Sequence, residues 1–385
     1  MLQYLIPIFD PGVKTWGLEA RLLRWLTYIW LLIGLVALFS ASYSLTGNIS
    51  RQILWVWLGM IGLNVIVRSP LRYLMSLAPW ILLLFLGLIL ATLAPGIGES
   101  VNGASRWIKL GPILLQPSEL IKPFLVLQSA QIFGNWERLS WSIRLKWLGI
   151  FGLLLGAILI QPNLSTTALC GITLWLIALA AGLPLRLLGG TALGGTLLAV
   201  ISISLREYQQ KRILSFLNPW NDPQGDGYQL VQSLLAVGSG GTWGVGYGLS
   251  QQKLLYLPFA DTDFIFAVFA EEFGLAGAML LILLLLGYAT MALMVALKCR
   301  HRVKRLIAIG VMVLLVGQSL LNIGVAIGAL PTTGLPLPLF SYGGSSSLAS
   351  LFLAGLLIRV AREGNEADVI YLNQGSREKV SGGRS

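Results

Sequence analysis

Apolar residues in this chain run in long blocks rather than in alternation. Ten such blocks cover roughly 25–46, 52–68, 74–94, 116–133, 143–160, 163–181, 186–204, 263–297, 306–329 and 340–360. Most approach the ~20 residues that a helix needs to cross the hydrocarbon core of a bilayer. A helix satisfies its own backbone hydrogen bonds there, so the pattern predicts an all-α polytopic membrane protein with about ten transmembrane helices. The eighth block is too long for one straight crossing, so its ends are expected to project from the bilayer.

The longest interruption, 205–262, is rich in Gly, Pro, Trp and Gln. It contains LVQSLLAVG, a stretch able to lie at the interface or to re-enter, and its aromatic residues argue against disorder. The expected organisation is a cytoplasmic N-terminus over 1–24, seven helices over 25–204, a large extracytoplasmic loop over 205–262, three helices over 263–361 and a flexible cytoplasmic tail over 362–385. With the N-terminus inside, 19 of the 27 Lys and Arg residues fall on the cytoplasmic side. That bias is the one the positive-inside rule requires, and both termini then lie in the cytoplasm.

Composition agrees. Hydrophobic residues make up 56% of the 385 positions and charged residues 11%, against about 25% charged in soluble domains. The net charge of +11 is scattered between apolar blocks rather than gathered on a basic face, which argues against nucleic acid and for a membrane surface. Cys170 lies in an apolar block and Cys299 beside a basic loop, so no disulfide is expected. One histidine, His301, leaves no basis for a His-rich metal site or a His-based triad. No cleavable signal peptide is expected.

Charge inside or beside a bilayer is expensive, and three places carry it. In QPSELIKP, Glu119 and Lys122 share a helix face, either as a structural ion pair or as a polar cavity wall. In DTDFIFAVFAEEFG, Asp261 and Asp263 stand where a helix begins and are open to reading as caps or as functional carboxylates. Glu271 and Glu272 follow about 12 Å further along the axis, and at least one of them should face the protein interior. In LPTTGLPLPLFSYGGSSSLAS, prolines and small residues bracket Ser341 and Tyr342. This is either a turn leading into a closely packed helix or a backbone turn lining a cavity.

The segments ASRWIKLGPILLQPSEL, QPNLSTT, RILSFLNPWNDPQGDGYQLVQSLLAVGSGGTWGVGYGLSQQKLLYLP, TDFIFAVFAEEFG and LPTTGLPLPLFSYGGSS, in that order, resemble the FtsW/RodA (SEDS) family over nearly the full length. NPW, GYQLVQSL and the serines after SYGG are more like the FtsW branch than the RodA branch. The resemblance implies ten transmembrane helices and a peptidoglycan glycosyltransferase of the bacterial plasma membrane. It implies polymerisation of lipid II, in septal cell division, beside a class B penicillin-binding protein transpeptidase and other divisome membrane proteins. It places the family's catalytic carboxylate on Asp263 and its QPSEL residues on Glu119 and Lys122. The chain departs from the family pattern at Asp261, where the family has His, and at Asn163, where it usually has Asp.

The implied reaction joins a sugar hydroxyl to an anomeric carbon with inversion and needs one general base, the role read for Asp263. The leaving diphosphate calls for cations, with Lys109, Arg212, Lys253 and Lys122 as candidates, a divalent cation as a further possibility, and no dedicated metal site in the sequence. Backbone N–H groups of GSGGTWGVGYG are a further phosphate candidate, with flexible turns as the plain alternative. The rival readings are a lipid II flippase, which needs a polar path across the membrane, an elongation-type polymerase, and a scaffold, which has no need of Asp263.

Overall fold

The computed structural model describes residues 16–42, 48–94, 98–101, 104–111, 113–254 and 256–381. Residues 1–15 and 382–385, which belong to the expected N-terminal segment and tail, lie outside them. Helices α1 (Leu18–Ala41), α2 (Asn48–Arg68) and α3 (Leu71–Ala91) follow the first three apolar blocks. A three-stranded antiparallel sheet comes next, with β1 (Gly98–Val101), β2 (Ala104–Leu110) and β3 (Ile113–Leu115) in sequential order. It qualifies the all-α expectation. Its signal in the sequence is Asn102–Gly103, a hairpin dipeptide that hydropathy alone does not register.

The chain continues through α4 (Pro117–Leu120), α5 (Lys122–Gly134), α6 (Trp141–Ile160), α7 (Leu164–Ala180) and α8 (Leu185–Leu205). Then come α9 (Glu207–Leu217), α10 (Tyr228–Ser239), α11 (Ile265–Lys298), α12 (Arg302–Met312), α13 (Gln318–Ala326) and α14 (Gly344–Ser381). A π-helical stretch, Val313–Gly317, joins α12 to α13 into one rod.

Among the described residues, eight helical rods are long and apolar enough to cross a membrane, and the protein is a polytopic membrane protein. The fourth and sixth expected spans fall short. The fourth is divided between α4 and α5, with Pro123 removing one backbone donor. The sixth, α7, has 17 residues. Burial explains α5, where ten side chains including Lys122 are covered by neighbouring helices rather than by lipid.

The overlong eighth block carries a break. Gly274 has φ 64° and ψ −166°, which divides α11 into two helical pieces. Backbone from 241–246 enters the break: Val245 N–H donates to Glu271 O at 2.9 Å and Gly246 N–H to Glu272 O at 3.1 Å. Leu275 N–H donates to Gly241 O at 2.9 Å and Ala276 N–H to Thr242 O at 3.0 Å. Only glycine fits, because a Cβ on Gly274 would stand 2.3 Å from Gly244 N.

The 205–262 region is therefore an ordered assembly carrying α9 and α10. The LVQSLLAVG segment is helix α10, which buries Leu230, Val231 and Ala236 and is tied to α13 by Ser233 Oγ–H to Ala326 O at 2.7 Å. Backbone beyond residue 362 continues as helix to Ser381, over a stretch with no proline and several strong helix formers.

Long-range bonds define two ends of the bundle. At one, Lys298 pairs with Glu19, Lys304 with Glu363, and Arg359 and Arg362 donate to Val67 O. At the other gather the sheet, the α6–α7 corner, the start of α2, the 205–264 region and the 327–343 loop.

Candidate active site

The site is built around three consecutive carbonyls. Tyr342 N–H donates to Asp261 O at 2.8 Å. Ser341 Oγ–H donates to Thr262 O at 2.6 Å, and Asn322 Nδ2 donates to Asp263 O at 2.7 Å. Asn322 also reaches Leu335 O at 2.8 Å, so α13 and the 327–343 loop together hold the approach to α11. The polar residues of that loop are thus used to hold backbone, and Ser341 also accepts Leu337 N–H at 2.8 Å. Ser341 is a brace rather than a group presented to a substrate. Tyr342 presents its half-buried phenol toward the Arg51 guanidinium.

Neither aspartate caps the helix. The residue preceding α11 is Phe264, with no side-chain capping bond. The capping alternative therefore fails, and the Asp263 carboxylate is left facing two arginines. A Cβ placed on Gly334, at φ +71°, would lie 3.5 Å from Asp263 Oδ2 and 3.8 Å from Arg212 Nη1. Arg212 is aimed by two further contacts: Nη1 donates to Thr332 O at 3.0 Å, and its guanidinium lies 4.5 Å from the Tyr208 ring centroid. Arg106, on β2, donates from Nε to Gln161 O at 3.0 Å and from Nη2 to Pro162 O. The sheet thus brings a second guanidinium to the α6–α7 corner, within electrostatic reach of Asp263 and Arg212.

The electrostatics leave Asp263 poised to exchange a proton near neutrality. Burial pushes its carboxyl up, Arg212 and Arg106 pull it back, and Asp261 and Glu119 add to the rise, which leaves it at about 6. Burial also raises Asp261, and Arg106 is lowered by its own burial first of all.

The other expected residues divide. Lys122 and Glu119 form a buried ion pair at 2.7 Å, with Gln318 Oε1 3.0 Å from Lys122 Nζ. Gln318 Nε2 in turn donates to Pro336 O at 2.7 Å. The pair braces the wall beneath Asp263, and its ammonium is fully engaged. Lys109 lies exposed on β2 with Glu99 at 3.4 Å, and no contact takes it to Asp263. Lys253 is also turned away: it donates to Glu272 Oε1 at 2.7 Å and to Ser40 Oγ at 2.8 Å. Of the four expected cations, Arg212 alone faces Asp263. Arg106 was missed because ASRWIKL, with Ser105–Arg106 and Trp107–Ile108 breaking any strict alternation, carries a weak strand signal. In GSGGTWGVGYG, the Val245 and Gly246 N–H groups are used at the Gly274 break and that of Gly244 on Gly240 O.

Glu271 and Glu272 are both buried. Glu271 accepts Ser250 Oγ–H and the backbone N–H groups of Gln251, at 3.0 Å, and Gln252, at 3.4 Å. Glu272 accepts from Lys253 and Ser40. Asn163 caps α7 through Thr166 N–H at 3.4 Å. Among the described residues no three His, Cys, Asp or Glu side chains gather in a metal-holding group.

Comparison with known proteins agrees with this arrangement. A family model described as cell cycle protein, FtsW/RodA/SpoVE, matches residues 20–366. A probable peptidoglycan glycosyltransferase FtsW of Synechocystis is 60% identical, the match covering 97% of this chain and 96% of the relative. A putative peptidoglycan glycosyltransferase FtsW of Mesostigma viride is 51% identical, over 94% of this chain and 88% of the relative. Among solved structures, a chain of a peptidoglycan synthase complex that coordinates polymerization and crosslinking superposes with a TM-score of 0.74 at 32% identity, over 89% of this chain and 97% of that one. The rod shape determining protein RodA of Thermus thermophilus gives 0.66 at 30% identity, over 89% and 96%.

Proposed function

The chain belongs to the FtsW/RodA/SpoVE family, and from that premise we propose how it acts as a peptidoglycan glycosyltransferase, the activity for which its FtsW relatives are named. The substrate is lipid II and the base is Asp263. The carboxylate takes the proton from the acceptor 4-hydroxyl as that oxygen bonds to the donor anomeric carbon. The bond from that carbon to the diphosphate breaks on the opposite face, so the α-linked donor gives a β-1,4 product. Negative charge grows on the diphosphate, and Arg106 and Arg212 are the cations placed to receive it. The observation that carries this reading is the Asp263 carboxylate, raised to about 6 and flanked by two guanidinium groups that form no ion pair with another carboxylate among the described residues. A divalent ion would find its ligands in Asp263, Asp261 and the substrate's own diphosphate.

In this reading the Asp263 end of the bundle faces outward, both termini lie in the cytoplasm, and the membrane is the bacterial plasma membrane. A class B penicillin-binding protein crosslinks the product at the division septum, with other divisome membrane proteins around it. The flippase reading has less support. Its polar path would pass the deeper carboxylates Glu271 and Glu272, which are closed off by Lys253, Ser40, Ser250 and backbone N–H groups.

The test compares wild type with Asp263→Asn, each purified with its transpeptidase partner and given labelled lipid II. Asp263→Asn is expected to bind lipid II and form no chains. Chains of normal length from the variant would remove Asp263 from the chemistry, and transfer of lipid II across vesicles without chain growth would favour a flippase.

A further inference from the structure

The end of the bundle away from Asp263 carries a buried cation with no counterion among the described residues. Arg24, in the second turn of α1, is 4% exposed. Its Nε donates to the Tyr28 hydroxyl at 2.9 Å. Its guanidinium carbon lies 5.4 Å from the Tyr28 ring centroid and 5.2 Å from that of buried Trp16. Nη1 and Nη2 are buried and have no hydrogen-bond partner. The Nε of Arg21, about one turn earlier on the same face, is in the same state. The carboxylates Glu19 and Glu363 are committed elsewhere, Glu19 to Lys298 and Glu363 to Lys304 and Arg359. Arg362 lies 4.5 Å from the Trp16 centroid, so two guanidinium groups share one indole and repel each other.

An arginine in a protein keeps its charge, so this burial cannot be relieved by loss of a proton. The two aromatic faces offset part of the desolvation, but they leave the Nη N–H groups unpaired, which is costly in a buried site. With Nε used by Tyr28, the edge that remains is the Nη1–Nη2 pair, which matches two oxygens of one phosphate. The surface of α1 sets the side from which such an anion comes. Leu22, Trp25, Ile29 and Leu32 are exposed along one stripe of the helix, as residues facing lipid are. Arg21 stands half-buried beside that stripe. Trp25 packs edge-on against Tyr28, with ring centroids 6.3 Å apart, and such aromatic pairs favour the level of the lipid headgroups. The approach to Arg24 therefore runs from the headgroup layer, where phosphate is the anion at hand.

We propose that Arg24 binds the phosphate of an anionic membrane phospholipid, admitted by outward movement of the Arg21 side chain, with the acyl chains laid along Leu22, Trp25, Ile29 and Leu32. Arg362 adds to the positive field across Trp16. Arg24 belongs to α1 and Arg362 to α14, so the bound phosphate ties the first long helix to the last. In the orientation given above the leaflet is the cytoplasmic one, where anionic lipid attracts cationic segments. The site lies apart from Asp263 and stands whether or not that carboxylate is a base.

The experiment titrates the full chain in detergent with dioleoylphosphatidylglycerol, dioleoylphosphatidylcholine or inorganic phosphate, and reads bound lipid by native mass spectrometry and stability by thermal melting. Phosphatidylglycerol should stay bound at activation energies that strip phosphatidylcholine, and it alone should raise the melting temperature. Arg24→Gln should weaken that binding by about tenfold and abolish the rise. Arg24→Lys keeps the charge and loses the fork, and should not restore the affinity. Arg21→Gln, at a half-buried position, should weaken binding as well, and it carries the comparison if Arg24→Gln does not fold. Arg138→Gln removes a charge from an exposed position on the α5–α6 connection and should bind as wild type does. Wild-type affinity in both the Arg24 and the Arg21 variant, or an equal loss in Arg138→Gln, overturns the site. An equal rise in melting temperature with inorganic phosphate overturns the lipid as its occupant and assigns it to a free anion.

Discussion

Asp263 and Arg212 come together across Gly334. The space a Cβ would occupy on that glycine is 3.5 Å from the Asp263 carboxylate oxygen and 3.8 Å from the Arg212 guanidinium. The carboxylate and its neighbouring cation thus meet over a residue without a side chain, in a backbone conformation with φ +71° that favours glycine. Under the proposed function, the gap above Gly334 is the approach by which an acceptor hydroxyl would reach the carboxylate.

Gly334→Ala is therefore expected to fold and to polymerise poorly. The methyl group enters the gap at ordinary contact distance, and the left-handed backbone adds about 1–2 kcal/mol of strain. Thermal melting should show a modest fall while glycan synthesis shows a large one. Unchanged synthesis would mean that the acceptor approaches from elsewhere.

The rate should follow the ionisation of Asp263. A base must be unprotonated, so with its carboxyl raised to about 6 polymerisation should climb as pH rises through that value and then level off. Arg212→Gln removes the largest influence pulling Asp263 down, so the limb should move to higher pH. Asp261→Asn removes a neighbour pushing it up, so the limb should move to lower pH. A pH–rate profile of the three proteins checks both signs.

The same shift acts on stability in the opposite sense. A carboxyl raised in the folded state contributes stability that is fully present below its unfolded value, near 3.8, and is lost as pH rises through about 6. Asp263→Asn carries no such loss, so at pH 7 it should melt above wild type while being inactive. Equal melting temperatures at pH 7 would place the burial of Asp263 in doubt.

Lys253 separates a structural role from a catalytic one. Its ammonium neutralises buried Glu272 at 2.7 Å, and removing one partner of a buried pair commonly costs about 3–5 kcal/mol. Lys253→Met should lower the melting temperature sharply, with the double variant Lys253→Met/Glu272→Leu recovering part of it. A single variant with wild-type melting and a lost kcat would return Lys253 to the leaving group.

The parts of the fold that follow from the bilayer were legible, because a run of about 20 apolar residues has few other uses. What was not legible depends on partners distant in the chain. Lys253 was a fair candidate for phosphate until Ser40, 213 positions away, proved to be its neighbour. The GSGGTWGVGYG segment was open to reading as an anion cradle or as flexible turns, and only the open turn at Gly274 shows where the Val245 and Gly246 N–H groups are used. The place of Asp263 at the entry to a helix was legible from its motif, whereas that of Arg106 required a strand in a segment with no strict alternation of polar and apolar residues. The two short helices α5 and α7 show the converse limit, since apolar residues there are matched to protein neighbours instead of to the width of a membrane.

The open turn at Gly274 also has a mechanical meaning. Below it, 275–298 forms a rod long enough to span a bilayer on its own at 1.5 Å per residue. Above it, 265–273 is fastened to the 241–253 backbone and to the carbonyl brace around Asp263. A rod in a membrane tilts as lipid thickness changes. Leu275 N–H and Ala276 N–H fasten the head of the lower rod to Gly241 O and Thr242 O, so the interruption is a clamp: one strip of backbone grips both pieces and sets the angle between them.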